Sequence, residues 1–449
     1  MTTFRDLMRR LMAEQGLSVR EVARRAPYDP GYVSRVVNGV WGPSRSFALR
    51  VDAVLGADGR LAALGPQEPP DAASPDAWTP HDVVGEARRL ADVDLAGPDR
   101  RPRPRPRALD GPDLTERLEH WISRPEPAPS APRGTVGPDE VERIEAGARL
   151  LRRWESRHRL GVRRKAVAGQ LAEVAGLLAV PQDRAVTGRL FLALAELAKV
   201  AGSMAFDAGR HPVAQEYYRL AVRAAHASGL PRGRLLGAHV LAALARQQLD
   251  RDQPGDALDI VRLAFDGAGA DAPAQLRAML RTREAWAYAR TGRVQAYHRA
   301  VGLAAEQLDV ASDNVPYFVR SFDRAELAGT VGAGYRGLAA VRAAAGLDHR
   351  TLTARSVHHI STALELRRPQ QERNRAFDLI GLGRSYLLAG ERERSVAAVR
   401  EAVALCDTIR SGRAEQRLRR WRAEAAAYAD APVVAAMRAD LAERSGESA

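Results

Sequence analysis

The stretch SVREVARRAPYDPGYVSRVVN, Ser18 to Asn38, reads as two short helices broken by a tight turn. Ser18 and Glu21 stand at the S-x-x-E spacing of a capping box. In that motif the hydroxyl takes the amide of the third helical residue and the carboxylate reaches back to the cap amide. Val19, Val22 and Ala23 fall on one helical face. Pro27-Tyr28-Asp29-Pro30 stops this helix. Asp29 is placed to cap the next one, with Pro30 at its first position, where no amide is needed. Val33 and Val36 then point inward, Ser34, Arg35 and Asn38 are left outside, and Gly39 ends the helix. Two short helices, the second polar and basic on its outer face, follow helix-turn-helix grammar. Working outward, Phe4, Leu7, Met8 and Leu11 predict a helix before this pair. Phe47, Leu49, Val51, Val54 and Leu55 predict one after it.

The whole chain has 449 residues, enough for more than one domain with its own core. Its formal charge is +13, which favours a polyanionic partner. The basic residues are nearly all Arg, with Lys only at 165 and 199. Heavy Arg and Ala use points to a GC-rich genome, so part of the positive charge reflects codon bias. A single cysteine, Cys406, excludes an intrachain disulfide framework and fits a reducing compartment. The opening MTTFRDLMRR is too polar for a signal peptide, and no apolar run is long enough to span a bilayer. A cytoplasmic, nucleoid-associated protein that does not engage a membrane is the expectation.

The first domain closes near Leu64. Residues 65–137 are rich in Pro, Asp and Arg and read as a linker, interrupted by amphipathic pieces near 82–92 and 113–123. In the second piece Leu114, Leu118, Trp121 and Ile122 form one apolar face. The run RRPRPRPR, Arg100 to Arg107, is either a groove-tracking arm or a stiff, soluble spacer. From about Asp139 onward the pattern is helical and repetitive. Gly202-x2-Ala205-x3-Gly209, Ala285-x2-Tyr288-x3-Gly292 and Gly383-x2-Tyr386-x3-Gly390 share their offsets, and a weaker copy runs through Ala245, Gln248 and Asp252. Gly332-x2-Tyr335 starts another copy whose turn is lengthened. Small residues let paired helices approach, an aromatic fills the gap, and Gly makes the turn. Each pair leaves an apolar face that only its neighbour can cover, so the copies stack.

Residues 4–64 resemble the Xre/Cro/CI-type helix-turn-helix of bacterial regulators, through S-V-R-E-V-A and Y-V-S-R-V-V-N-G. The prolines of the turn depart from that family's usual form. The repeat offsets resemble tetratricopeptide repeats. With RRKAVAGQLAEVAGLL at 163–178 and AELAKVAGSMAFDAGRHPVAQEYY at 195–218, the chain resembles actinobacterial Xre-type regulators with a C-terminal tetratricopeptide domain. It is also similar in layout to peptide-sensing regulators of the Rap, Rgg, NprR, PlcR and PrgX type. The resemblance implies double-stranded DNA as partner, a homodimer, and a peptide or small-molecule ligand in the groove of the repeats. The fold expected is all-α: a helix-turn-helix domain at 1–64, a linker at 65–137, and a tetratricopeptide-like α-solenoid at 138–449.

Candidate site residues follow from residue chemistry. For DNA, Ser34, Arg35 and Asn38 are the base or phosphate contacts, since Arg forks to guanine and Asn to adenine. Tyr32 and Arg45 are placed as backbone contacts, and Arg20 and Arg24 near phosphate. Gly31 lets backbone approach the duplex closely. Each of these reads otherwise as a solvated surface or turn residue. The run Arg149 to Lys165 holds eight Lys/Arg against one acid, with Leu150, Leu151, Trp154 and Leu160 on a shared face. It is either a contact surface or the first helix of the repeat domain with a wet basic side. For a ligand, Asn314 and Asn374 offer donor and acceptor to an extended backbone. Arg281, Tyr317, Arg320, Arg375 and Asp378 are near them in sequence; the alternative is ordinary turn and helix-start positions. His358-His359 point apart on a helix, there is no H-E-x-x-H or Walker loop, and no strand precedes Gly332-x-Gly334. No enzyme activity, metal or cofactor is expected. The rival to a DNA-binding regulator is an adaptor whose repeats dock a protein, without specific DNA binding.

Overall fold

The computed structural model describes residues 3–26, 28, 30–39, 43, 45–65, 78–96, 107–132, 134–155, 161–310, 315–409 and 411–445. The side chains of residues 30–32, 35, 45, 46, 49, 153–155, 161–163 and 445 are outside the description. Helices are the regular structure of the described residues, whose one β feature is an isolated bridge between Ser130 and Gln182. No helix among them is long and apolar enough to cross a membrane. The chain divides into two compact units, Met1–Ala77 with Pro112–His120, and Trp78–Gly111 with Trp121–Ala449.

The smaller unit contains α1 (Phe4–Glu14), α2 (Val19–Arg25), α3 (Pro30–Val37), α4 (Arg45–Val54), α5 (Arg60–Leu64) and the single turn α7 (Pro112–Thr115). Its core is the set of apolar positions that the helical period picks out: Phe4, Leu7, Met8, Leu11, Val22, Ala23, Val33, Val36, Phe47, Val51 and Leu55 are buried. Thr3 and Asp6 make a full capping box on α1. On α2 only half of the expected box forms. Ser18 Oγ accepts from the Glu21 amide at 3.2 Å, but the Glu21 carboxylate turns to Arg24 and Arg25 instead of the cap amide. Two guanidinium groups outcompete one backbone N–H because charge-assisted bonds are the stronger ones. α3 starts at Pro30 and stops at Gly39 with φ +74°, where glycine carries no Cβ penalty. Asp52 ties α4 to α5, its buried carboxylate accepting from the amides of Gly59, Leu61 and Ala62 at 2.8, 2.8 and 3.1 Å.

The larger unit begins before the repeats. α6 (Pro80–Leu95) is capped by Thr79 and buries Val83, Val84, Ala87, Leu90 and Ala91. It packs on α9 (Gly161–Leu178) and α11 (His211–Ala227), with Arg164 paired to the buried Asp94 at 2.7 Å. Nor are residues 107–132 a free tether. Leu109 and Gln215 exchange hydrogen bonds of 2.7 and 2.9 Å, and the Gly111 amide donates to Asp256 at 2.8 Å. Trp121 sits where Gly237 and Gly267 leave room. The described part of 65–137 is thus built into the two units, because most of its few large apolar residues, Val83, Val84, Leu90, Leu114, Leu118 and Trp121 among them, are buried. The Arg100–Arg107 run, Arg107 excepted, lies outside the described residues.

α8 (Pro138–Glu155) and α9 then pack against α10 (Arg184–Asp207). Leu151 of α8 is buried, but Leu150 is exposed rather than sharing its face, as an adjacent residue must be when only one stripe is covered. Trp154 and Leu160 fall outside the description. From there consecutive helices pair: α10 with α11, α12 (Pro231–Asp250) with α13 (Pro254–Ala268), α14 (Ala274–Arg290) with α15 (Val294–Asp309). α16 (Arg324–Ala344) pairs with α17 (Arg350–Leu366), and α18 (Glu372–Ala389) with α19 (Arg392–Ile409). α20 (Gly412–Glu424) and α21 (Pro432–Ser445) finish the stack. The repeat offsets fall at equivalent places in these pairs. A Cβ on Gly202 would stand 2.8 Å from the Tyr218 ring, so the close approach of α10 and α11 needs the bare backbone. In the weaker copy Asp252 takes the turn position at φ +64°, a left-handed conformation that Asp tolerates better than most residues.

The first helix of each pair also packs on the first helix of the next, so α10, α12, α14, α16 and α18 form an inner layer. The two ends of this layer meet. α20 packs on α18 and reaches α10, where Ser411 Oγ donates to Asp207 at 2.9 Å and the Arg413 guanidinium lies 4.5 Å over the Phe206 ring. α20 thus bridges the two ends of this layer.

Candidate functional site

In the smaller unit, α3 is held by burial of Val33, Val36 and Val37, which turns its remaining face outward. Ser34 is half-buried and Asn38 exposed. They are not idle: Asn38 Nδ2 donates to Ser34 Oγ at 3.2 Å, and Asn38 Oδ1 accepts from Arg9 of α1 at 3.1 Å. Arg9 is therefore a member of this face that the local pattern did not reveal. The signal was available only once α1 and α3 were packed together. Gly31, Tyr32, Arg35 and Arg45 lie on α3 and α4, with side chains outside the description. Arg20 is exposed and makes no ion pair among the described residues. Arg24, expected near phosphate, is exposed but bonded to Glu21 at 2.5 Å. The hydrogen bonds from Arg24 and then Arg25 hold the Glu21 carboxyl down at about 2, so the acid stays charged and competes with any phosphate.

The larger unit holds a cavity of about 710 Å³ that is partly open to solvent. Its wall is built by the inner helices together with α8, the 317–322 turn, the 368–374 segment and α20. Eight cationic side chains line it, among them Arg246, Arg283, Arg373 and Arg413, against one acid, Glu326. Burial, then the neighbouring Arg246, pushes both the Arg283 guanidinium down to about 10 and that of Arg413 to about 9. His239 is held well below its usual value, by burial first and then by Arg152, Lys199 and Arg283, so its ring is neutral. Arg246 Nε, Arg283 Nε, and Arg413 Nε and Nη2 are buried with no hydrogen-bond partner. Glu326 is already engaged: it accepts from Asn374 at 3.2 Å and pairs with Arg367 at 2.9 Å. Burial works to raise its pKa, but Arg367, Arg246 and Arg283 outweigh it and leave the carboxyl below its usual value.

Of the residues proposed from sequence for a ligand, Tyr317 and Asn374 line this cavity. Asp378 lies beside it in a recess of about 50 Å³, bound to Arg367 at 2.9 Å. Arg281, Arg320 and Arg375 do not line the cavity. Arg281 pairs with Glu284 at 2.7 Å and covers Phe265 at 4.5 Å. Arg320 is exposed and donates to the Val315 carbonyl at 3.2 Å. Arg375 reaches the Leu364 carbonyl at 3.3 Å and Glu401 at 3.5 Å. Nearness in sequence misled here because successive residues of a helix point to different sides. Asn314 is outside the described residues. Nor does the Arg149–Lys165 run keep one wet face: Arg149 and Arg152 line the cavity, and Arg164 pairs with Asp94.

Residues 3–64 match the family described as a helix-turn-helix domain. Neither curated proteins nor solved structures give a match to this chain. The matched segment covers α1 to α5, so the N-terminal helices form a domain of the kind carried by DNA-binding regulators.

Proposed function

We propose that the chain is a sequence-specific, DNA-binding transcriptional regulator, dimeric, with the tetratricopeptide-like unit as sensor. The helix-turn-helix match over residues 3–64 carries this reading. Exposed Arg9 and Arg20, with the outward-facing side of α3, support it. One recognition helix reads few base pairs, so two-fold pairing on an inverted repeat is the economical route to specificity. A ligand held in the larger unit would act only through a difference in its affinity for the DNA-binding and non-binding states. The site of action is the nucleoid, in the cytoplasm, and the role is one of binding rather than catalysis.

Genome-wide footprinting of the protein, followed by duplex titration at several salt concentrations, tests the reading. Affinity falls steeply with salt if phosphates are neutralised. Arg35→Ala lowers specific affinity by about 1–3 kcal/mol if that side chain pairs with a base. Retention of full specificity would remove Arg35 from the base-reading role. The engagement of Asn38, Ser34 and Arg24 with neighbouring side chains favours a second reading, an adaptor with no specific DNA binding. A flat salt response and no enriched footprint would select it.

A further inference from the structure

The geometry points to the cation-lined cavity of the larger unit as a binding site for a compact molecule carrying two or more phosphate groups. This deepens the sensor half of the proposed function and rests on it for any effect on DNA, though not for the binding itself. The argument is one of uncompensated charge. Eight cations line the cavity, and its one acid, Glu326, is shared between Arg367, Asn374 and, at 3.9 Å, Arg246. Carboxylates behind the wall do not close the balance. Asp207 and Asp250 stand 3.9 Å from Arg373 and Arg413. Burial pushes Glu196 up to about 7, so it is only partly ionised near neutral pH. Glu145 stands 3.7 Å from Arg149; counting all four with Glu326, the eight cations still outnumber five acids.

Burying cations without counter-charge is costly, and the cost is offset when an anion enters. Arg246, Arg283 and Arg413 all line the cavity, and each keeps a buried guanidinium N–H with no hydrogen-bond partner, so the wall supplies too few acceptors for its own cations. Both Arg283 and Arg413 are more than nine-tenths buried. A guanidinium fork matches phosphate geometry. The volume, about 710 Å³, lies within the range of small-molecule sites, roughly 300–1,000 Å³. Phosphates gather several charges into such a space. An acidic peptide must spread the same charge along a chain.

The test uses the full chain, without DNA, and calorimetric titration plus thermal unfolding with inorganic tripolyphosphate, a nucleoside triphosphate, citrate and an acidic hexapeptide. Tripolyphosphate and the nucleotide are expected to bind at one site, raise the melting temperature with concentration, and weaken as NaCl rises. Equal affinity for both assigns recognition to the phosphates alone; tighter binding of the nucleotide adds a nucleoside contact. The double variant Arg246→Gln with Arg283→Gln should weaken either by at least about tenfold, as expected for lost charged hydrogen bonds. Should that variant misfold, Arg373→Gln at the less buried part of the wall gives the same readout in milder form. No binding of either phosphate probe, tighter binding of citrate or peptide, or undiminished affinity in a folded variant would overturn the inference. Duplex affinity is measured separately. Loss of DNA binding with phosphate binding intact counts against the regulator reading alone, and the reverse result counts against this one alone.

Discussion

Tyr28 and Glu119 are distant in sequence, yet the phenol donates to the carboxylate at 3.2 Å within the smaller unit. Tyr28 also meets Phe47 edge-on at 5.0 Å, so it is braced from the core side. Burial pushes the Glu119 carboxyl up to about 7; the Tyr28 hydrogen bond and Arg50 oppose this, and Glu116 adds to it. The folded value lies above the ordinary 4.5, so the folded state binds more protons between those limits. Stability of the smaller unit therefore falls as pH rises from about 4.5 to about 7. Glu119→Gln keeps an acceptor for Tyr28 and removes the charge. We expect it to stabilise that unit by about 1–2 kcal/mol at pH 8, with little gain at pH 4.5. Amide exchange of α1–α4 at the two pH values checks this, and an equal gain at both would refute the titration. At this scale the sequence was most informative about burial. Val22, Val33 and Val36 were legible because helical period alone dictates their direction. The Arg9–Asn38 and Tyr28–Glu119 contacts were not, because they depend on how separate segments pack.

Among the elements, the segment first read as linker teaches most. Its two amphipathic pieces were visible, and α6 at Pro80–Leu95 occupies the first of them. What composition hid was their destination. Pro and Arg flank the pieces and suggest a solvated tether, whereas packing is decided by the few apolar side chains between. The second piece does not act as one face: Leu114 and Leu118 belong to the smaller unit and Trp121 to the larger. The indole lies where a Cβ on Gly237 or Gly267 would stand 2.2 or 1.8 Å from its ring atoms. Trp121→Ala should cost the larger unit about 3–5 kcal/mol, the range for emptying a buried aromatic site. Urea unfolding measures the loss, and faster amide exchange in residues 122–132 reports release of that segment. Unchanged exchange with a small loss in stability would mean that the hydrogen bonds of Leu109, Gly111 and Ser123 suffice to hold the segment.

For the whole molecule, a formal charge of +13 suggested a polyanionic partner without saying where the charge would lie. The structure divides it. Part lies exposed on the smaller unit at Arg9, Arg20 and Arg24, and part is turned into the cavity. A list of residues carries no information about which side of a helix pair faces inward, so this division was illegible. The pairing of helices was legible, because the small–aromatic–turn offsets recur in register. The meeting of the two ends was not, since curvature accumulates from small rotations at every pair. Asp207→Ala removes the acceptor of Ser411 and the neighbour of Arg373, and should lower stability by about 1–3 kcal/mol. Amide exchange in α20 and α21 is expected to rise more than in α14 and α15. Uniform loss across the unit would show that the junction is not a separately opening point.

The junction of α10 with α20 also bears on how such a chain can vary. An open array grows or shrinks by whole modules, because each touches only its neighbours and the terminal ones are covered by polar caps. Here α20, which follows the last pair, also packs on α10 of the first. Adding or removing one pair would part that seam, so length change is confined to the turns, and the number of modules behaves as an integer set by closure.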